Sequence, residues 1–211
     1  LPISMILGTA GFTAALALLR MTENRQSPAL GPLAVTGATG GVGSLAIAIF
    51  AKAGYEVHAI SGKADQTGYL TSLGAHAVLG REVLETAAPM ASARFGGGLD
   101  NVGGAMLAGL LAQTAPYGNV ASAGLAATHE LHATVMPFII RGVSLLGVAS
   151  AGTARDIRDE VWRRLAGDWK PANLDAACTR ETDLDGLPAV FETMLAGGSL
   201  GRTVVRVADT P

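Results

Sequence analysis

The stretch with the clearest chemical capacity is TGATGGVGS, residues 36–44, in which Gly37, Gly40, Gly41 and Gly43 follow a short apolar run of Pro32, Leu33, Ala34 and Val35. Glycines permit a tight turn and let backbone N–H groups approach an anion closely. Helical apolar spacing follows, so the positive end of a helix dipole would point at whatever the turn holds. Strand, glycine turn and helix in this order grip the diphosphate of a dinucleotide. Val42, Leu45, Ala46, Ile49 and Ala53 recur at spacings of three and four, which predicts one buried stripe. Gly54 stands where a C-terminal cap belongs.

A second strand is predicted over residues 55–61, YEVHAIS. Tyr55, Val57 and Ala59 share one face, and Ile60 adds the apolar character of a strand buried on both sides. In such βαβ units an acidic side chain at the end of the second strand binds the ribose 2′-hydroxyl of NAD. Here that position reads Ser61-Gly62-Lys63. A hydroxyl and an ammonium, with no carboxylate to repel it, favour a 2′-phosphate, and therefore NADPH over NADH. The competing reading makes Ser61 a helix cap and Lys63 a solvated charge.

The elements that must position this turn follow from the rest of the chain. Its 211 residues can bury a sizeable core. A net charge of −2 and 5% aromatic residues supply neither the basic field nor the stacking surface of a nucleic-acid binder. The single Cys178 excludes an internal disulfide framework, fits a reducing cytoplasm and reads as a small buried hydrophobe. Residues 1–20 are apolar and approach the length of a membrane span. Ser4, Gly8, Thr9, Gly11 and Thr13 interrupt that run, and it has neither an initiator Met nor a basic leader, so a buried helix against the dinucleotide domain is expected instead. The start on Leu1-Pro2 suggests that something upstream has been cut away.

Beyond Ser61 the α/β alternation persists. Helices are predicted at 64–73, 82–87, 105–113, 137–141 and 154–166, with strands at 77–79, 99–102, 118–125 and 143–148. Asp100 would end the fourth strand, Gly124 would lie at the cofactor edge, and Trp162 reads as core. Six strands with interleaved helices give an α/β, doubly wound parallel sheet in the order 3-2-1-4-5-6. The tail then supplies a strand at 176–182, a helix at 187–195 and a strand at 201–207 after that sheet is complete. Thr203, Val205 and Val207 share a face of the last strand and need a partner sheet that this chain barely contains.

Taken in order, GTAGFTAALAL, VTGATGGVGS, the run from Tyr55 through AISGKADQTGYLTSLGAHAVLGRE, LDNVGG, TVMPFIIRGVSLLGVAS and GRTVVRV span the chain nearly end to end. Together they resemble the acrylyl-CoA reductase branch, or YhdH/YhfP-type quinone oxidoreductases, of the zinc-independent medium-chain dehydrogenases/reductases. The resemblance implies an NADP-binding Rossmann domain over residues 1–172. Residues 173–211 would complete a GroES-like catalytic domain whose main part, roughly 100 residues, is not in this chain.

The resemblance also implies site residues. Thr39, Gly40, Gly41, Val42 and Gly43 would hold the diphosphate, and Ser61, Lys63 and Arg81 would surround the 2′-phosphate of NADPH. Thr9, Ala123, Gly124 and Leu125 would line the nicotinamide end, closed by Leu146, Gly147 and Val148 from the sixth strand. The edge of that strand would join two copies in a homodimer. The implied reaction is hydride delivery from NADPH to the β-carbon of acrylyl-CoA, giving propionyl-CoA, in the cytoplasm. Catalytic residues are not assigned and no metal is implied, since most groups touching substrate would lie in the absent domain; the fragment alone would be inactive. Lys63 stands where relatives commonly carry arginine, which keeps the charge but loses the bidentate fork. Ala149 replaces a usual acidic residue, and Asn101 a usual threonine.

Four rival readings stand beside this one. The turn also satisfies the glycine pattern of short-chain dehydrogenases, yet none of Tyr55, Tyr69 or Tyr117 has a lysine four residues on. His129, Glu130 and His132 lack HExxH spacing and read as a solvated loop rather than zinc ligands. His58 and His76 have no acid/base partner identifiable from sequence. A crystallin-like protein that holds NADPH without turnover is the alternative from another class, and an NADPH:quinone oxidoreductase is the alternative enzyme, so the small-molecule substrate is an acyl-CoA or a quinone.

Overall fold

The computed structural model describes residues 2–207; Leu1 and residues 208–211, the ends of the two expected domains, lie outside the described residues. Leu33–Thr36 forms β1, and all four of its residues are buried. It is flanked on one side by β2 (Val57–Ile60) and on the other by β4 (Phe95–Asp100), both parallel to it. With β3 (Ala77–Leu79), β5 (Thr114–Ser122) and β6 (Ser144–Gly147) the sheet runs β3-β2-β1-β4-β5-β6, the order read from the alternation of elements. Its crossovers carry α2 (Gly41–Lys52), α3 (Thr67–Ser72) with a preceding 3₁₀ turn, α4 (Glu82–Glu85), α5 (Gly104–Ala112) and α6 (Met136–Arg141). Helix α7 (Arg155–Ala166) packs outside.

Helix α1 (Pro2–Glu23) is the apolar opening segment. It is long and apolar enough to cross a membrane, but 72% of that stretch is buried inside the protein, with Phe12, Ala14, Ala15, Leu18 and Met21 in the core. Its backbone leaves helical geometry at Gly8 (φ 46, ψ −153). Because α1 packs along α2, the single buried stripe expected of α2 is wrong: Gly43 through Phe50 are all buried. Periodicity reports the face turned to the sheet, whereas a second covering helix buries the opposite face as well. Gly54 takes the expected role past the helix end, with φ 90.

Two strands differ from expectation. The fourth begins at Phe95 rather than Leu99 and includes Gly96, Gly97 and Gly98. A methyl on Gly96 would sit 2.7 Å from the Gly31 carbonyl oxygen, and one on Gly98 would meet Ala34 of β1, so the neighbouring backbone leaves no room for side chains. The fifth ends at Ser122, which leaves Ala123, Gly124 and Leu125 in the following loop. Trp162 is also not core: it lies on the outside of α7, with its ring 5.6 Å from that of Phe12, while Trp169 is the buried tryptophan. Cys178 is half-buried against the main core.

In the tail, β7 (Cys178–Asp183) and β8 (Arg202–Arg206) pair in parallel as a separate two-stranded sheet, joined through α8 (Leu187–Leu195). Val204 packs on the main core. Thr203 and Val205 instead line a groove of about 490 Å³ with Leu187, Val190, Phe191 and Met194. The alternation expected of the last strand therefore holds for Thr203 and Val205, whose face is open, whereas Val207 lies past the end of the strand and is exposed.

Candidate functional site

At the C-terminal end of β1 the chain turns through Gly37, whose φ of 59 suits a residue without a side chain. The Gly40 amide donates to the Gly37 carbonyl at 3.0 Å, and α2 begins one residue later. Its first bond into the preceding turn is from the Ser44 amide to the Gly40 carbonyl at 2.9 Å. No side chain caps this helix, and the Gly41, Val42 and Gly43 amides find no acceptor among the described residues. Three free donors at the positive end of a helix dipole form a cradle for an anion. A methyl on Gly43 would overlap the Gly37 carbonyl oxygen and lie 2.8 Å from Ala38 Cα, so glycine is what lets α2 start this close to β1. Thr39 is buried, and its carbonyl accepts the Gly201 amide of the tail at 2.8 Å.

The crossovers reverse direction between β1 and β4, which opens a crevice at their ends. Its floor is a hydrogen-bonded clasp. The Thr36 hydroxyl donates to Asp100 Oδ1 at 2.7 Å and accepts the Asn101 amide at 3.0 Å, while Asn101 Nδ2 donates to the Thr36 carbonyl at 2.8 Å. The Gly103 amide donates to Asp100 Oδ2 at 2.8 Å. Burial pushes the Asp100 carboxyl above its ordinary value, and the bonds from Thr36 and Gly103 pull it back.

Ala123 and Gly124 border the same crevice. The Ala123 amide donates to the Asp100 carbonyl, and a methyl on Gly124 would lie 2.5 Å from the Asn101 carbonyl oxygen. Leu125 is exposed. Leu146 and Val148 turn their side chains to the core, and the Gly147 carbonyl accepts the Arg20 guanidinium, so β6 offers the crevice backbone rather than side chains. Thr9 follows the Gly8 kink and is exposed.

Beside the end of β2 lies a cavity of about 540 Å³ lined by Ser61, Gly62, Gly80, Arg81 and Glu82, among others. The Arg81 side chain crosses Gly62, where a methyl would meet its Nε at 2.9 Å. Lys63 does not line this cavity: its Nζ donates to the Ser199 carbonyl of the tail at 2.8 Å. The expectation that no carboxylate stands here is also corrected, because Glu82 comes from beyond β3 and borders the cavity. Spacing along β2 could not show it.

By sequence pattern Arg202 is only part of a strand, yet its side chain reaches this turn. Its Nε donates to the Ile6 carbonyl at 3.0 Å. Its terminal nitrogens lie 3.1 and 3.2 Å from where methyls on Gly41 and Gly8 would stand. A guanidinium from the tail thus sits at the mouth of the glycine turn, held by the kink in α1.

The histidines lie elsewhere. His58 and His76 do have an acid partner, Glu56, at 2.8 and 3.7 Å, but it precedes β2, at the end of the parallel strands opposite the glycine turn. His132 is exposed and bonds Glu130, and among the described residues no three His, Cys, Asp or Glu are grouped as a metal ion requires.

Residues 41–167 match the family described as zinc-binding dehydrogenases. The chain belongs to that family. It is 45% identical over 97% of its length to the acrylyl-CoA reductase AcuI of Ruegeria pomeroyi, and 42% identical over 97% to YhfP of Bacillus subtilis, which bears a quinone oxidoreductase name. The crystal structure of YhfP with bound NAD superposes with a TM-score of 0.93, covering 97% of this chain and 63% of that one. The structure of Escherichia coli YhdH with bound NADPH, 41% identical, gives 0.92 over 97% and 63%. The chain spans 62% of the length of AcuI and of YhfP. The medium-chain branch expected from the ordered motifs is therefore the one found, and the six-stranded sheet is its coenzyme-domain fold.

Proposed function

We propose that this chain binds NADPH across the crevice between β1 and β4 and forms the coenzyme portion of a reductase that converts acrylyl-CoA to propionyl-CoA. The observation that carries this reading is the set of free amides of Gly41, Val42 and Gly43 at the start of α2 with the Arg202 guanidinium beside Gly41, a diphosphate site built from the glycine turn and the tail. Arg81 and Ser61 provide for a phosphate on the adenosine ribose, and Lys63 has the lesser role of tying the tail to the cavity rim. Thr9, Ala123, Gly124 and Leu125, with the backbone of Leu146, Gly147 and Val148, hold the nicotinamide end. When bound, NADPH supplies the hydride for the β-carbon of the thioester. This chain's part is to orient the coenzyme and keep water from the crevice.

Most groups touching the acyl thioester come from residues beyond this chain, in keeping with its coverage of 62% of AcuI. Residues 1–172 form the NADP-binding domain, and residues 173–211 belong to a GroES-like domain that covers the open groove of β8 and α8. Two copies join at the free edge of β6, where Leu145 and, from α6, Ile139 and Ile140 are exposed. The setting is the cytoplasm. NADPH-dependent quinone reduction is the second reading, favoured by the name that YhfP bears.

The test is the absorbance of the nicotinamide band when acrylyl-CoA or a quinone is added to the full-length protein with NADPH. Decay with acrylyl-CoA supports the first reading, and decay with the quinone alone supports the second. Binding without decay under either condition refutes both in favour of a non-catalytic NADPH binder. Residues 1–211 alone are expected to bind NADPH weakly and to reduce acrylyl-CoA negligibly.

A further inference from the structure

The cavity beside β2 contains one cationic and one anionic side chain among the residues lining it, Arg81 and Glu82, adjacent in sequence. They project differently. The Arg81 guanidinium lies over Gly62, at the end of β2, whereas the Glu82 carboxylate folds back over Gly80, where a methyl group would collide with it. No ion pair joins them among the described residues, so each charge is available to a ligand in its own right. Lys63, the other cation near this edge, is engaged by the Ser199 carbonyl and contributes nothing to the lining.

The charge balance of the cavity is therefore one positive against one negative, which is not how a site devoted to a phosphate monoester is built. Such a group carries nearly two negative charges at neutral pH. It gains the fork of Arg81 and is repelled by Glu82. A ribose hydroxyl in the same place loses the first interaction but can donate to the carboxylate, the role that an acidic side chain at the end of the second strand plays in NAD sites. Here a carboxylate enters the same cavity from the element after β3, on the Gly80 side.

We infer that Glu82 is a coenzyme-specificity determinant of this site: it weakens discrimination in favour of the 2′-phosphate and gives the 2′-hydroxyl of NADH an acceptor. The inference rests on the coenzyme reading above and goes beyond it, because that reading assigns Glu82 no part.

Calorimetric titration of the intact protein with adenosine 2′,5′-bisphosphate, AMP, NADPH and NADH isolates the group concerned, since each pair differs by one phosphate. In Glu82→Gln, affinity for the bisphosphate and NADPH should rise about three- to tenfold at low ionic strength, and the gain should shrink as salt screens the charge. Affinity for AMP and NADH should stay level or fall. Glu82 is exposed, so the substitution leaves the core untouched, and a melting curve that coincides with that of wild type confirms this. Arg81→Gln should move the ratio the opposite way. Glu82→Gln that leaves the ratio unchanged, or shifts both members of a pair together, overturns the inference while leaving the coenzyme reading intact. Failure of wild-type protein to bind any of the four removes both.

Discussion

Gly43→Ala probes whether the start of α2 is pressed against the glycine turn. In a helix interior the change from Gly to Ala is ordinarily favourable by about 1 kcal/mol, and the Gly43 backbone has no left-handed φ to forbid it. Opposing this, the new methyl would overlap the Gly37 carbonyl oxygen and lie 2.8 Å from Ala38 Cα and 2.9 Å from the Gly37 carbonyl carbon. These are all backbone atoms, so no side chain can swing aside. Overpacking that forces a backbone shift costs about 1–3 kcal/mol, and contacts this short belong at the upper end, which leaves a net loss of about 1–2 kcal/mol.

Relief of the overlap must lift the first turn of α2 off β1, which misaligns the Gly41 and Val42 amides. One lost hydrogen bond to a charged group is worth about 1.5–3 kcal/mol, or roughly tenfold or more in affinity. Urea unfolding midpoints and calorimetric titration with NADPH measure the two effects. Gly68→Ala is the control: that glycine lies in α3 with nothing within 4 Å of an added methyl, so the variant should gain about 0.5–1 kcal/mol and bind NADPH as wild type does. A Gly43→Ala protein as stable as wild type with unchanged NADPH affinity would refute the reasoning.

Thr36→Val should cost about 2–3 kcal/mol in urea unfolding, because it removes both the donor to buried Asp100 and the acceptor of the Asn101 amide. Burial raises the Asp100 carboxyl, so its contribution to stability is present below the unfolded value and is lost as pH rises through the folded one. Unfolding midpoints of wild type should accordingly show a downward component as pH increases from about 4, and Asp100→Asn should lack it; parallel slopes for the two proteins would contradict this. Arg202→Gln should weaken NADPH and NADH about equally, by roughly tenfold, since both contain the diphosphate; selective loss of NADPH would place Arg202 at the ribose instead. In fluorescence titrations Lys63→Gln should reduce NADPH affinity less than about threefold and Arg81→Gln more than about tenfold, because only Arg81 lines the cavity.

Much of the architecture was legible from local patterns. Ala77–Leu79 and Leu187–Leu195 fall at the residues read from apolar runs and spacing, and the strand order follows from the alternation of elements. The misreadings have a common cause. Gly96, Gly97 and Gly98 look like a loop by composition and are a strand because β1, β5 and the Leu30–Gly31 turn crowd them. Trp162 looks like core by type and is exposed because it sits at the rim of α7, one side of its ring against buried Phe12 and the other toward solvent. In each case the missing information was the neighbour.

The same division runs through the site. The amino-acid sequence by itself determined a glycine turn between a strand and a helix, and hence an anion cradle, because turn geometry and a helix dipole depend on residues a few positions apart. Only the tertiary structure decided which charges surround that cradle. Arg202 arrives from the last strand, Lys63 is drawn away to Ser199, and Glu82 shares a cavity with Arg81 and Ser61. Charges act through distance in space, and the distances among these residues exist only once the sheet has assembled and the tail has docked on it.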